Sequence, residues 1–270
     1  MEIGVTMILE ARTDIGRIRE KNEDVADCLE HPKDKSIKLL IVADGMGGKE
    51  HGEIAANFVV SSLVTWFQNK EASDLNKVEE TEKRLKSYIK SLNTKIIHRY
   101  GKNTIGTTLT MALVLKKETL IMNVGDSRAY LYRQKELIQI TEDDADVWYY
   151  YKFQKVKKDD LRYFSNNNVI NACIGIDPEL CTPRGYRVPN NYEMLLLFSD
   201  GVTDMITDKK ILKIIETTEP ENILKTMIHE AVHVNQKLKV PLYLKRKIKT
   251  RYVVPFKGRD NASGVIWIKK

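Results

Sequence analysis

The sequence predicts an α+β fold, and three observations carry the prediction. Strand-length apolar runs and amphipathic stretches of helical period occur in blocks, which points to segregated layers and not to a doubly wound parallel sheet. Short polar turns separate neighbouring strand candidates, as in antiparallel hairpins. No repeat, low-complexity tract or Pro/Gly/Ser-rich linker divides residues 1–270, so a single domain is expected.

The elements follow in order. Val5 to Glu10 reads as a first strand, and Thr13 to Asp24 as a polar turn carrying Arg19-Glu20-Lys21-Asn22-Glu23-Asp24. Leu39-Leu40-Ile41-Val42-Ala43 is apolar without a break and ends at Asp44-Gly45-Met46-Gly47-Gly48. It is short for a helix and lacks alternation, so it reads as a strand buried on both faces. Two helices follow, with Ile54, Phe58, Leu63 and Trp66 setting the period of one and Leu85, Ile89, Leu92 and Ile96 that of the other. Thr107–Leu115, Leu120–Val124 and Ala129–Arg133 then read as hairpin strands. Glu142 to Asn171 is polar, aromatic and least regular, with Trp148-Tyr149-Tyr150-Tyr151 and an Asn166-Asn167-Asn168 run. It reads either as a flap or as a local helix pinned by its aromatics. Met194–Phe198 is a second doubly buried strand, ending at Ser199-Asp200-Gly201. Helices over Lys209–Ile215 and Ile223–Val234, a basic stretch, Asp260-Asn261 and a strand Gly264–Ile268 complete the chain.

Hydrophobic residues make up 42% and charged residues 30%, an ordinary soluble composition with enough apolar side chains for a sizeable core. No apolar run approaches the roughly 18 residues of a membrane helix, and Met1-Glu2-Ile3-Gly4 does not resemble a secretory signal. A cytoplasmic, monomeric protein without a membrane partner is therefore expected. Cys28, Cys173 and Cys181 lack metal-type spacing and are expected to be reduced thiols. The net charge is +7, and Lys237 to Arg259 contains no acid. That stretch reads as a solvated basic loop or as a dock for an acidic or phosphorylated partner. No nucleic-acid motif or aromatic stacking platform accompanies it, so nucleic acid is not expected as a partner.

Asp44, Asp126, Asp200 and Asp260 each adjoin an apolar strand and a Gly, Ser or Asn. Glu23-Asp24 adds two more acids. Brought together, such carboxylates repel one another and take up protons unless cations neutralise them. Mg²⁺ or Mn²⁺ suits oxygen-only ligands with retained waters. Two such ions about 3.5–4 Å apart can hold a bridging hydroxide for in-line attack at phosphorus. Any one of these acids alone would read as a cap or turn residue.

The ordered set Arg19-x-x-Asn22-Glu23-Asp24, Asp44-Gly45-Met46-Gly47-Gly48, Gly106-Thr107-Thr108, Asn123-Val124-Gly125-Asp126-Ser127-Arg128, Ser199-Asp200-Gly201 and Asp260-Asn261 resembles the metal-dependent protein phosphatase 2C (PPM) family, in its compact bacterial form. The resemblance spans about Thr13 to Ile268. It implies a four-layer αββα sandwich, two packed antiparallel sheets flanked by helix pairs. It also implies a phosphoserine/phosphothreonine protein phosphatase acting by direct attack of a metal-bridging hydroxide. Asp44 would bridge two Mn²⁺ or Mg²⁺ ions, the Gly45 carbonyl would bind one, and Asp200 and Asp260 the other. Glu23 and Asp24 would act directly or through waters, Asp126 would help hold a third, weaker ion, and Arg19 would clamp the substrate phosphate with its planar fork. Gly106-Thr107-Thr108 and Ser127-Arg128 would support the strand ends. Phosphorylated proteins, among them a Ser/Thr kinase and its targets, are the partners implied.

Two departures stand out. Relatives commonly carry a His after the Gly-Gly pair, where this chain has Lys49, with His51 two residues on; His51 or a metal-bound water would then serve as the general acid. After Thr141 the family tends to Asp-His, where Asp143-Asp144 stands here, so peptide preference is expected to differ. Two other readings compete. His229-Glu230-Ala231-Val232-His233 matches the zinc-protease H-E-x-x-H pattern, but a third ligand is needed and no Glu follows Glu230. A phosphoprotein-binding module without turnover could use Arg19 and the basic stretch, though the intact ligand positions speak against it.

Overall fold

The computed structural model of the chain describes residues 7–47, 51–233, 239–248, 251–253 and 258–269. Two antiparallel sheets form its centre. In the first, β1 (Ile8–Asp14) pairs with β11 (Ala262–Ile268), then β10 (Met194–Phe198), β7 (Arg128–Arg133) and β8 (Glu136–Gln139) follow. In the second, β2 (Asp24–His31) lies beside β3 (Asp34–Gly47), followed by β5 (Leu109–Val114), β6 (Glu118–Val124) and β9 (Arg184–Pro189), with β4 (Ile105–Thr107) on the far end of β3.

The β3 pattern explains why the sheets stack. Its residues alternate between two apolar environments, so both faces are buried. Leu40 and Val42 point into the space between the sheets with Ala112, Ile121, Leu197 and Val265. Leu39, Ile41 and Ala43 point outward against α1 (Gly52–Gln68) and α3 (Val78–Tyr100), which bury Val59, Leu63, Leu85 and Ile89 there. The outer face of the first sheet is covered likewise by α6 (Asp208–Thr217) and α7 (Ile223–Val232), through Ile211, Ile214, Leu224 and Met227. Two antiparallel sheets with helices outside both are the αββα layers expected.

Several strands and helices differ from expectation. The stretch after Asp24 is a strand, β2, although Asp24-Val-Ala-Asp-Cys-Leu-Glu mixes polar and apolar residues; as an edge strand it needs only one apolar face. β8 and β9 were also not apparent, being short and rich in polar residues. The first strand runs further along the chain, Ile8–Asp14; Val5 lies outside the described residues. Within the basic stretch sits a helix, α8 (Leu242–Lys247), anchored by fully buried Leu244.

The 142–171 segment contains a local helix held by its aromatics, the second of the two expectations for it. It holds α4 (Trp148–Gln154) and a 3-10 helix, Lys158–Tyr163, around a small cluster of its own with Trp148, Leu161, Phe164 and Leu244. The three cysteines are free thiols. No helix among the described residues is long and apolar enough to cross a membrane.

Candidate active site

The acids meet because strand register brings them to one end of the sandwich. The β2–β3 ladder sets Asp24 opposite Asp44. β10 ends at Phe198, opposite Gly264 of β11, so Ser199-Asp200 and Asp260-Asn261 emerge side by side. Asp44, Asp126, Asp200 and Asp260 line one cavity of about 250 Å³, with Arg19 and Glu23 also in its wall. Asn168 and Ile170, from the 142–171 segment, close another side. Asp24 lies just behind, buried, with its Oδ2 accepting from Ser199 Oγ at 2.8 Å.

Crowded, desolvated carboxylates hold protons more tightly. Burial, then the charges of Asp24, Asp200, Asp260 and Asp126, raise the Asp44 carboxyl well above its ordinary range. Burial, then Asp126 and Asp260, do the same to Asp200. Burial, then Asp143 and Asp204, push Asp126 up to about 7, against the pull of Arg128. Asp24 rises to about 6, chiefly through burial, with the Ser199 hydroxyl opposing.

The donor set fits hard divalent cations. Oδ1 of Asp24 and Oδ1 of Asp200 are buried without a hydrogen-bond partner, a costly state for a carboxylate that a cation would relieve. Among the described residues no three His, Cys, Asp or Glu side chains already close on one point. The acids instead line a chamber with room for ions that retain waters, as Mg²⁺ and Mn²⁺ do.

Neutral groups hold the acids in place. Thr108 Oγ1 accepts the Asp44 N–H at 3.0 Å, and Thr107 Oγ1 donates to the Asp44 carbonyl at 3.0 Å. Thr108 and Ser127 share a hydroxyl–hydroxyl bond of 2.9 Å. Ser199 Oγ, while donating to Asp24, accepts the Ser263 N–H at 3.0 Å. Buried Asn261 accepts from Glu23 N–H and donates to the carbonyls of Ile15 and Lys21, each at 2.9 Å. It thereby pins the Arg19 loop to the start of β11. Gly201 is required beside it, because a Cβ there would lie 1.8 Å from the Asn261 carbonyl oxygen.

Each expected site residue can now be placed. Asp44, Asp126, Asp200, Asp260, Gly45 and Arg19 face the common cavity. Arg19 Nη2 donates to Asp260 Oδ2 at 2.8 Å while its side chain stays 46% exposed. Glu23 has a second occupation, since its Oε1 accepts the Gly52 N–H at 2.8 Å and so caps the start of α1. His51 opens α1, is exposed, and is not among the residues lining the cavity. Lys49 lies outside the described residues. Arg128 supports its strand end through a two-pronged, buried ion pair with Asp143, 2.7 and 3.0 Å.

Sequence reasoning gave no role to Asp204, one turn after Asp200. It adds to the acid cluster around Asp126 and is held by Arg162, which donates to its carbonyl at 2.9 Å, and by Asn167. The Asp200-x-x-x-Asp204 spacing was the available signal. The zinc-protease pattern gains no support. His229 and His233 stack at 4.9 Å on the exposed side of α7, beside Arg12 and Lys225 in a different groove. Among the described residues no third ligand completes a site there.

A sandwich of antiparallel sheets with strand-end carboxylates around an arginine-walled cavity defines a metal-dependent hydrolase. The Protein phosphatase 2C family model matches residues 17–239, and the chain belongs to this family. It is 35% identical over 225 residues to the serine/threonine phosphatase stp of Listeria welshimeri, covering 82% of this chain and 84% of that protein. It is 29% identical over 219 residues to protein phosphatase PhpP of Streptococcus pneumoniae, covering 79% and 86%. Among solved structures it resembles serine/threonine phosphatase Stp1 of Staphylococcus aureus, with a TM-score of 0.79 at 27% identity over 100% and 98% of the two chains. It also resembles the catalytic domain of serine threonine protein phosphatase PstP in complex with two manganese ions, with a TM-score of 0.74 at 25% identity over 97% of each. The chain is thus a protein phosphatase of the 2C type, and its catalysis is metal-dependent.

Proposed function

We propose that this chain hydrolyses phosphoserine and phosphothreonine esters on proteins, within one catalytic domain spanning residues 1–270, using two Mn²⁺ or Mg²⁺ ions. One observation carries the reading: four aspartates from separate strand ends share a small cavity, and neighbouring buried carboxylate oxygens there have no partner. Asp44, Asp200, Asp260 and the Gly45 carbonyl would hold the ions, with Asp24 and Glu23 behind them and Asp126 toward a third, weaker position. When bound, the ions supply positive charge and a water of lowered pKa for direct attack on phosphorus.

The chain's own groups do the rest. Arg19 offers its guanidinium fork to the phosphate. Its present pairing with Asp260 is half exposed, and such pairs are worth only about 0–1 kcal/mol, so an incoming phosphate can take Arg19 over. Asn261, bonded to the backbone of Ile15, Lys21 and Glu23, would keep the Arg19 loop in place for this exchange. With His51 exposed outside the cavity wall, the leaving alkoxide would take its proton from water in the cavity. Phosphoproteins, including a Ser/Thr kinase and its targets, are the proposed partners, and a cytoplasmic, monomeric protein fits the expectations from sequence.

The test is turnover of p-nitrophenyl phosphate and of a phosphothreonine peptide with Mn²⁺, then with Mg²⁺, against an EDTA control. Metal-dependent release of phosphate from both is expected. Silence with both substrates and both metals would leave a phosphoprotein-binding module as the answer.

A further inference from the structure

The outer helix layer of the second sheet has a one-sided charge pattern. From Ile54 to Asn69, along nearly all of α1, the chain carries no charged residue. A helix packed on a core ordinarily turns charges to the solvent. Its neighbour α3 is one-sided in another way. Glu79 and Glu82, near its start, are taken up by Arg187 of β9 at 3.3 and 2.8 Å. From Lys83 to Tyr100 no acid follows.

The two helices enclose a furrow. Tyr88 of α3 reaches across it to donate to the Ser62 carbonyl of α1 at 3.3 Å, and its ring stacks on Trp66 with centroids 6.3 Å apart. Around this bridge lies a groove of about 620 Å³, walled by Lys70, Lys83 and Arg84 and by the hydroxyls of Ser87 and Ser91. Further along the same two helices, Phe58, Ile96 and Tyr100 line a second recess of about 210 Å³ with Lys95 and Arg99. Cations but no acid line either hollow. Among the described residues only Arg84 of these five cations has an ion pair, to Glu80 on the surface at 3.3 Å. Lys70 lies 5.6 Å over the Trp66 ring and Arg99 5.3 Å over that of Tyr100. Phe58, Trp66, Tyr88 and Tyr100 are half-buried and packed against the core, so the rings are held in place before anything binds. The furrow leads away from the chemistry, since Trp66 stands about 21 Å along α1 from Gly52 at 1.5 Å per residue.

We propose that the furrow between α1 and α3 docks an acidic amphipathic helix of a partner protein, away from the catalytic cavity. Cations around an acid-free groove select an anionic partner. A furrow between two helices accepts a third helix laid in by its apolar face. Phe58 and Trp66 stand two turns apart on α1, about 12 Å. The partner's apolar anchors therefore fall at i and i+7 or i+8, with Asp or Glu on its flanks to meet the cations. A bilayer fits this surface less well. The rings are recessed between the helices, and none of the large hydrophobic side chains that stand exposed among the described residues belongs to α1 or α3. Nothing there protrudes to insert into lipid, whereas a helix can enter the furrow.

The test uses the full chain and a fluorescein-labelled, Glu-rich helical peptide with Leu at i and i+7, read by fluorescence anisotropy; the control peptide carries Lys in place of Glu. Trp148 and Trp267 are buried, so iodide quenching of the parent reports chiefly on Trp66, and the acidic peptide should shield it. Lys83→Glu/Lys95→Glu removes charge from the furrow, and Ser87→Trp fills it without changing charge. Each should weaken the Kd of the acidic peptide by about tenfold or more. Lys209→Glu/Lys213→Glu, the same charge change on exposed positions of α6, should leave the Kd as it was. Circular dichroism melts and turnover of p-nitrophenyl phosphate with Mn²⁺ show that the variants are folded. No binding by the parent, equal binding of the two peptides, no shielding of Trp66, or an equal loss in the α6 variant overturns the proposal. So does a parent dimer that Ser87→Trp dissolves, or binding to phosphatidylglycerol vesicles in place of the peptide. A parent inactive on p-nitrophenyl phosphate that still binds the peptide would refute the phosphatase reading and leave this one standing.

Discussion

Replacing Asp126 by Asn should make the metal-free protein more stable, by more at neutral and alkaline pH than in acid. The buried Asp126 carboxyl titrates at about 7 in place of 3.8, because burial and the charges of Asp143 and Asp204 disfavour its ionised form. The sign follows from proton binding. Between about pH 4 and 7 the folded chain keeps this proton and the unfolded chain gives it up, so stability is lost as pH rises through that window. A displacement of about three pH units corresponds to roughly 4 kcal/mol at 1.36 kcal/mol per unit, shared in part with its coupled neighbours. Asparagine keeps the neutral state at every pH. In EDTA at pH 8 the variant should therefore exceed the parent by about 2–4 kcal/mol, a rise in Tm on the order of 10 °C for a chain this size. At pH 5 less than half of that advantage should remain. Thermal melts followed by circular dichroism across this range measure it. A variant no more stable at pH 8, or one whose advantage is flat from pH 5 to 8, would refute the idea that Asp126 is an electrostatic burden carried for a cation.

Arg19→Ala should raise KM for phosphopeptides more than it lowers kcat, because it removes a contact already made to the bound phosphate; an unchanged KM would remove Arg19 from that role. Asp44→Asn and Asp200→Asn should abolish turnover yet leave the circular dichroism spectrum intact and the EDTA-treated protein at least as stable as the parent at pH 8, since each deletes a charge from a repelling cluster. Asn261→Ala removes three hydrogen bonds at a buried position and should cost about 2–4 kcal/mol in urea unfolding, with phosphatase activity falling alongside. His229→Ala/His233→Ala should leave metal-dependent turnover of p-nitrophenyl phosphate as it was, because both rings lie outside the catalytic cavity; lost activity would reopen the zinc reading.

Much of this was visible in the sequence because the signals were local. Leu39–Ala43 and Met194–Phe198 announce strands buried on both faces, and an acid at the end of each is conspicuous. Helical periods at Ile54–Phe67 and Leu85–Ile96 located two helices of one outer layer. β2 escaped because an edge strand facing solvent needs no continuous apolar run, and Asp27 and Glu30 masked it. The use of Glu23 as a cap for Gly52 was hidden because the two residues are 29 positions apart, and only the fold relates them. The role of Asn261 was hidden for the same reason, although the residue itself was part of the recognised motif. α8 was read as a loop since Lys and Arg dominate it; what fixes the helix is a single side chain, Leu244, finding the aromatics of residues 148–164.

The costs and the function of the site are one quantity seen from two sides. Three acids at the cavity are held by their backbone, by one of their two oxygens, or by a neighbour: Asp44 through Thr107 and Thr108, Asp24 through Ser199, and Asp260 through Arg19 and the Asn261 N–H at 2.9 Å. Those anchors sit on strands fixed by two apolar layers, so the acids cannot move apart to relieve their repulsion. Repulsion that the fold cannot dissipate is released when cations arrive, and whatever binds only the folded state stabilises it in proportion. A looser scaffold would be more stable without metal and would bind metal less tightly. The same reasoning explains why neutral hydroxyls and an amide line the back of the cavity: more cations there would satisfy the acids permanently and leave nothing for the metal to do.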